Sequence, residues 1–292
     1  MTTAIQRLPE AQEQALARTY AQAVSARRMR TALGAVILII LIVMSARTSE
    51  VDVGAFFAHI GGLGDYFDRL ARLDTGERVW TDIGEWFWGL NRWGRLLFDT
   101  LLIAWLGTFF GAIGGFCLCF VAAENLTRSR ALRFVARRFL EACRTVPEIV
   151  FALIFVVAFG LGALPGVLAI AIHTVGATGK LFAEVAENID MNPVEGASAA
   201  GASWMQTVRL AVVPQVLPNF ASYALLRFEI NVRGAAVMGF VGAGGIGQDL
   251  VEAIRKFHYS DVSAILLVVI VTVMAIDLLT ERLRHRLIGA MT

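Results

Sequence analysis

The chain is 292 residues long, 57% hydrophobic and 17% charged, with a formal net charge of +2. Soluble domains average roughly 45–50% apolar and about 25% charged residues, so this balance excludes an ordinary water-soluble fold. The arginines lie between apolar blocks and form no groove-sized cluster with interleaved aromatics, which argues against nucleic-acid binding.

Residues 1–30 are mostly polar and read as a cytoplasmic N-terminal segment. The apolar run 31–45 has the length of a secretory signal core, but a long polar stretch precedes it and no clear small-residue cleavage site follows, so it reads as an uncleaved first membrane helix. A membrane helix needs about 20 mainly apolar residues. Six segments qualify: 29–47, 97–122, 139–162, 164–184, 217–240 and 262–280. The expected class is therefore an all-α polytopic membrane protein with about six transmembrane helices.

Residues 31–96 combine the first span with an external segment. Trp80, Trp86, Trp88 and Trp93 concentrate in its second half, as in an interfacial helix at the lipid–water boundary. Residues 97–292 form the main transmembrane domain. Positive residues beside membrane helices stay in the cytoplasm. Arg27, Arg28 and Arg30, the group Arg128, Arg130, Arg133, Arg137, Arg138 and Arg144, and Arg282, Arg284 and Arg286 all fall on one side of a six-span chain. Both termini are then cytoplasmic. Cys117, Cys119 and Cys143 fit neither a CxxC redox pair nor a zinc site and read as packing thiols.

Between the fourth and fifth spans, the stretch from Asn192 to Pro214 is too polar and too rich in small residues to cross a membrane. Pro193 suits a first helical turn, Gly201 a helix end, and Ser203 with Gln206 a capping box, so two short helices joined at Gly201 are predicted. Glu195-Gly196-Ala197 is followed after Ser198, Ala199 and Ala200 by Gly201, then by nine residues and Ala211-Val212-Val213-Pro214. This spacing resembles the coupling-loop signature of binding-protein-dependent ABC importers; Gly196, Ala211 and Val213 depart from it while keeping small or aliphatic character. The resemblance implies that the loop at about 190–214 docks a cytoplasmic ATPase through Glu195, Gly196, Ala197, Ala200, Gly201, Trp204 and Pro214.

Further segments are similar to the phosphonate importer permeases from about Leu96 onward: Ala122-Ala-Glu-Asn-Leu126, Glu141-Ala-Cys-Arg144, Ile172-His-Thr174, Arg227-Phe-Glu-Ile-Asn-Val-Arg233 and Val241-Gly-Ala-Gly-Gly-Ile-Gly247. That resemblance implies a type I ABC importer permease fold in the bacterial inner membrane and a homodimer. It also implies two ATPase subunits that carry ATP and Mg, an external phosphonate-binding protein, and no cofactor on this subunit. Phosphite or a phosphate ester can stand in for phosphonate as the cargo; methionine, osmoprotectant and sulfonate permeases share the coupling loop and form the alternative cargo class, and an ATP-independent channel leaves that loop unexplained. No Ser/His/Asp set, HExxH or Walker motif occurs, so an enzyme is not expected and ATP hydrolysis belongs to a partner.

Arg227, Glu229 and Arg233 fall in the fifth span, where charge is costly and faces the bundle interior or a water-filled path. Glu229 and Arg233, four residues apart, can pair. That leaves Arg227 for an anionic cargo; alternatively all three serve inter-helix pairing with Glu184 or Asp99. Lys180 and Glu184 form another such pair with a structural role. His173 reads as a hydrogen-bonded packing residue, with cargo contact as its alternative. Gly242, Gly244, Gly245 and Gly247 match G-x-G-x-x-G, yet a membrane helix precedes them where a dinucleotide site requires a strand. They mark either a tight turn or unwound backbone whose N–H groups line an anion path.

Overall fold

The computed structural model describes residues 10–49 and 52–289, and the regular elements among them are helices. Contacts divide the chain into two units, Met1–Tyr66 and Phe67–Thr292. In the first, α1 (Glu10–Thr48) keeps the side chains from Val36 to Met44 exposed within the chain. A helix apolar on every side has lipid as its natural solvent. The helix α2 (Val53–Leu70) begins where Asp52 Oδ1 accepts the Ala55 N–H at 2.9 Å.

The second unit continues through α3 (Ile83–Trp86), α4 (Leu90–Ala122), α5 (Arg130–Thr145), α6 (Glu148–Phe159) and α7 (Ala163–Glu187). After α8 (Asn192–Ala199) and α9 (Trp204–Thr207), a π turn over Val208–Val212 leads into α10 (Val213–Met238). A 3-10 turn (Gly239–Val241), α11 (Gly247–Arg255) and α12 (Tyr259–Gly289) complete it. Among the described residues, α1, α4, α7 and α12 are each long and apolar enough to span a membrane, and α5 with α6 makes a fifth, bent candidate. The 26-residue α10 lies outside that set because Arg227, Glu229, Arg233 and its amides dilute its apolar character.

The predicted span 139–162 is not one helix. Val146 and Pro147 adopt extended ψ values of 124° and 139°, and α6 leaves α5 at 84°. Proline lacks the N–H that a continuing helix needs and disfavours helical geometry in the residue before it. With 12 residues, α6 is about 18 Å long, too short to cross a core of about 30 Å alone.

A glycine ladder packs α4 on α7. A methyl group added at Gly107 would collide with Ile170, at Gly111 with Thr174 and the Ala171 carbonyl, and at Gly115 with Thr178. Small residues every four positions let two backbones approach and gain dispersion contacts that lipid cannot replace. Gly176 and Gly179 on α7 do the same against Leu140 of α5. At the centre Asn231 of α10, wholly buried, donates to Thr108 Oγ1 of α4 (2.8 Å) and Thr174 Oγ1 of α7 (2.9 Å), tying three helices through one amide. Phe182 stacks on Phe220 at 4.0 Å toward the α7 C-terminal end.

Three of the four tryptophans before and at the start of α4 make specific contacts within the second unit. Trp86 Nε1 donates to Ser263 Oγ at 3.0 Å and Trp88 Nε1 to Asp261 Oδ1 at 2.8 Å, both on α12, while Trp93 is buried against Ile246, Val262 and Ile265. Only Trp80 stays exposed without such a bond among the four. The segment just before α4 therefore has a small core of its own with α11 and α12, because an indole N–H finds its partner on polar residues at a helix start.

Candidate functional site

The connection between α7 and α10 folds as two short helices, as the sequence indicated. Gly201 takes φ +84°, a left-handed conformation that strains residues with a Cβ, and so reverses the chain between them. The Ser203 N–H donates to Gln206 Oε1 at 2.8 Å, one arm of the capping box that starts α9. The loop's base is closed by a reciprocal pair: the Asp190 N–H donates to Gln215 Oε1 (3.1 Å) and Gln215 Nε2 donates to the Asp190 carbonyl (3.2 Å). Val194 is the buried side chain of α8, packed with Phe182 and Val212.

Around that anchor, Glu195, Gly196, Ala200 and Gly201 are exposed, and a Cβ at Gly196 or Gly201 would meet nothing within 4 Å. Ala197 is half-buried. The loop thus presents a smooth surface of small residues with one acidic side chain. Trp204 is partly exposed, but its Nε1 donates to the Leu126 carbonyl at 3.0 Å, so the indole ties the loop to the turn after α4. Pro214 occupies the first turn of α10, where its missing N–H costs nothing.

Arginines of α5 gather at the same end of the bundle. Arg137 donates to the Ala122 carbonyl at the α4 terminus (2.9 Å) and to Glu187 at the α7 terminus (2.5 Å), while Glu187 also accepts the Glu124 N–H (2.8 Å). Helix C-terminal carbonyls are unsatisfied and carry negative potential, so a guanidinium settles there. The sequence marked Arg137 only as a topology signal. Glu187, Gln215 and Asp190 were not singled out, since a polar residue at a helix end carries no spacing pattern.

Deeper in the bundle, the charges of α10 split between two faces. Arg233 pairs with Glu229 (2.5 Å) and reaches Asp277 of α12 (3.5 Å), and Thr280 Oγ1 lies 3.5 Å from Glu229 Oε2. The inter-helix acid is Asp277, where the sequence suggested Glu184 or Asp99. Glu184 pairs with Lys180 at 3.5 Å. Arg227 points from another face, and among the described residues it closes no ion pair within 4.0 Å. Glu148, at the start of α6, lies within electrostatic reach of it. His173 of α7 sits beside them, its Nδ1 3.2 Å from the Val146 carbonyl at the α5/α6 break.

Gly242, Gly244 and Gly245 all have φ near +80°, values of 78°, 86° and 81°. Gly244, Gly245 and Gly247 are buried, and Gly242 is half-buried. Two bonds sew the turn to its neighbours: the Gly162 N–H donates to the Gly242 carbonyl (3.0 Å) and the Ile246 N–H to Thr100 Oγ1 (2.9 Å). Close approach explains Gly247, where a Cβ would lie 3.0 Å from the Gly239 Cα. The turn follows α10 and a 3-10 turn, with no strand before it.

The family model described as binding-protein-dependent transport system inner membrane component matches residues 107–291, more than half of the chain. A phosphite transport system permease of Stutzerimonas stutzeri is 47% identical over 198 residues, 68% of this chain and 72% of that protein. A phosphate-import permease of Mycolicibacterium smegmatis is 42% identical over 68% of this chain, spanning 37% of its own length. A methionine ABC transporter solved in an inward-facing conformation superimposes with a TM-score of 0.58 at 20% identity, covering 67% of this chain and 95% of that one, a likeness of fold. The chain therefore belongs to the binding-protein-dependent transport system inner membrane component family and is the permease subunit of an ABC importer.

Proposed function

We propose that this permease carries a phosphorus oxyanion, a phosphonate or phosphite, across the inner membrane. The observation that carries the reading is the 47% identity with a phosphite permease. A cation of the helical bundle without a closed ion pair, Arg227, supports it chemically, since such a cation suits a path for anions. A relative named as a D-methionine permease of Vibrio cholerae is 29% identical over 177 residues, which makes methionine the comparison cargo.

In this reading two copies of the chain form the path, and an external binding protein delivers the cargo. Two ATPase subunits supply ATP and Mg, and this subunit holds no cofactor. The ATPase docks on the exposed small-residue face of the loop that bears Glu195, Gly196, Ala197, Ala200 and Gly201. Trp204 and Pro214 hold that face in place from the permease side. Arg133 and Arg137 lie at the same end as the loop, which supports a cytoplasmic position for it; in this reading both termini are cytoplasmic too, from the arginines beside the first and last apolar runs of the sequence. Arg227, Glu229, Arg233, His173 and the turn bearing Gly242, Gly244, Gly245 and Gly247 border the path. The test is uptake of methylphosphonate by phosphate-starved cells with and without the gene, with phosphite and methionine as competitors. Gene-dependent uptake blocked by phosphite and not by methionine is expected; uptake of methionine alone overturns the cargo.

A further inference from the structure

Glu148 is assigned no role by the sequence motifs, yet it sits where an anion path needs a counter-charge. It opens α6 directly after the break at Pro147. Its carboxylate covers Gly234 of α10, where an added Cβ would lie 3.2 Å from the carboxylate carbon. It is within electrostatic reach of both His173 and Arg227. Arg227, Ile230 and Gly234 occur at helical spacing on one face of α10, so the cation and the carboxylate's seat share that face. Arg233 and Glu229 are committed to α12 and do not compete for this carboxylate.

We propose that Glu148 is the resident counter-anion of Arg227: it faces the guanidinium between transport events, gives way to the cargo anion, and retakes its place as the cargo leaves. A cation left alone in a membrane protein is costly, and a carboxylate nearby offsets that cost. The pair is not closed, since no Glu148–Arg227 ion pair forms within 4.0 Å among the described residues. The guanidinium therefore keeps donors for a phosphorus oxyanion, which it can bind through two parallel hydrogen bonds. Gly234 leaves the space into which the carboxylate folds, and the bond from His173 to the Val146 carbonyl fixes the break that places it. A resident competitor weakens cargo binding on the path, which suits a site that must release what it receives.

This inference rests on the anion reading above and is tested apart from it. The complete complex of permease and ATPase, in lipid nanodiscs, is titrated calorimetrically with methylphosphonate and with inorganic phosphite. A resident charge of the same sign as the ligand opposes its binding, so Glu148→Gln is expected to bind both anions severalfold more tightly. Arg227→Gln is expected to lose binding, and the double variant to match Arg227→Gln alone. Equal affinity in Glu148→Gln and the parent, or a gain that persists without Arg227, overturns the proposal. If Glu148→Gln fails to assemble, Gly234→Ala displaces the carboxylate without changing any charge, and the same tightening is expected; unchanged affinity again overturns it. Failure of the parent complex to take up any phosphorus oxyanion would instead sink the functional reading.

Discussion

Alanine placed at two glycines of α4 should act in opposite senses. At Gly111 the new methyl group would lie 2.9 Å from the Ala171 carbonyl and overlap Thr174, whose hydroxyl holds Asn231. Neither a helix carbonyl nor a β-branched side chain locked by a hydrogen bond can withdraw cheaply, so α4 must move off α7. At Gly94 the same methyl group meets nothing within 4 Å. Both substitutions gain the same helix propensity, about 0.5–1 kcal/mol, which cancels in the comparison. The difference is the overpacking cost, typically about 1–3 kcal/mol. At about 2–4 °C per kcal/mol for a chain of this size, Gly111→Ala should melt roughly 2–12 °C below Gly94→Ala. Fluorescence-detected size exclusion after heating in detergent measures the gap. Equal melting of the two variants would refute close α4–α7 packing as the support of the bundle.

Other substitutions separate docking, path and scaffold. Gly201→Val forces a β-branched residue to φ +84° at an open position, a strain of roughly 1–3 kcal/mol; together with Glu195→Arg it should lower cargo-stimulated ATPase activity severalfold while the permease remains folded, as size exclusion would show. Trp204→Phe removes the bond to the Leu126 carbonyl and should destabilise the loop by about 1 kcal/mol, seen as faster proteolysis between α8 and α10. Arg233→Ala strands Glu229 and Asp277 and, with the arginine half exposed, should lower thermal stability by about 1 kcal/mol. Arg227→Ala should lower uptake while the complex still assembles; a loss of assembly would make that residue structural.

How far the sequence spoke depended on whether a feature is local. Long apolar runs report their own solvent, so the membrane class and most spans were legible without coordinates. The loop from Asn192 to Pro214 was legible because capping boxes, left-handed glycines and first-turn prolines act within a few residues of themselves. The break at Pro147 was written in the sequence as well, but hydropathy across 139–162 masked it: an average over a window is blind to one missing N–H.

What the sequence could not supply are pairings between distant positions. Glycines at 107, 111 and 115 state that a close neighbour exists, and only the packed bundle identifies it as α7. The charges of α10 announced a polar face, yet the choice of Asp277 for Arg233 depends on how α12 is rotated against that helix. Rotation is set by side-chain packing summed over whole helix faces, which no short stretch of sequence encodes. Membrane class, helix ends and the two short helices between Asn192 and Pro214 were thus determined by local chemistry, while the partners of the paired charges were decided by the tertiary fold.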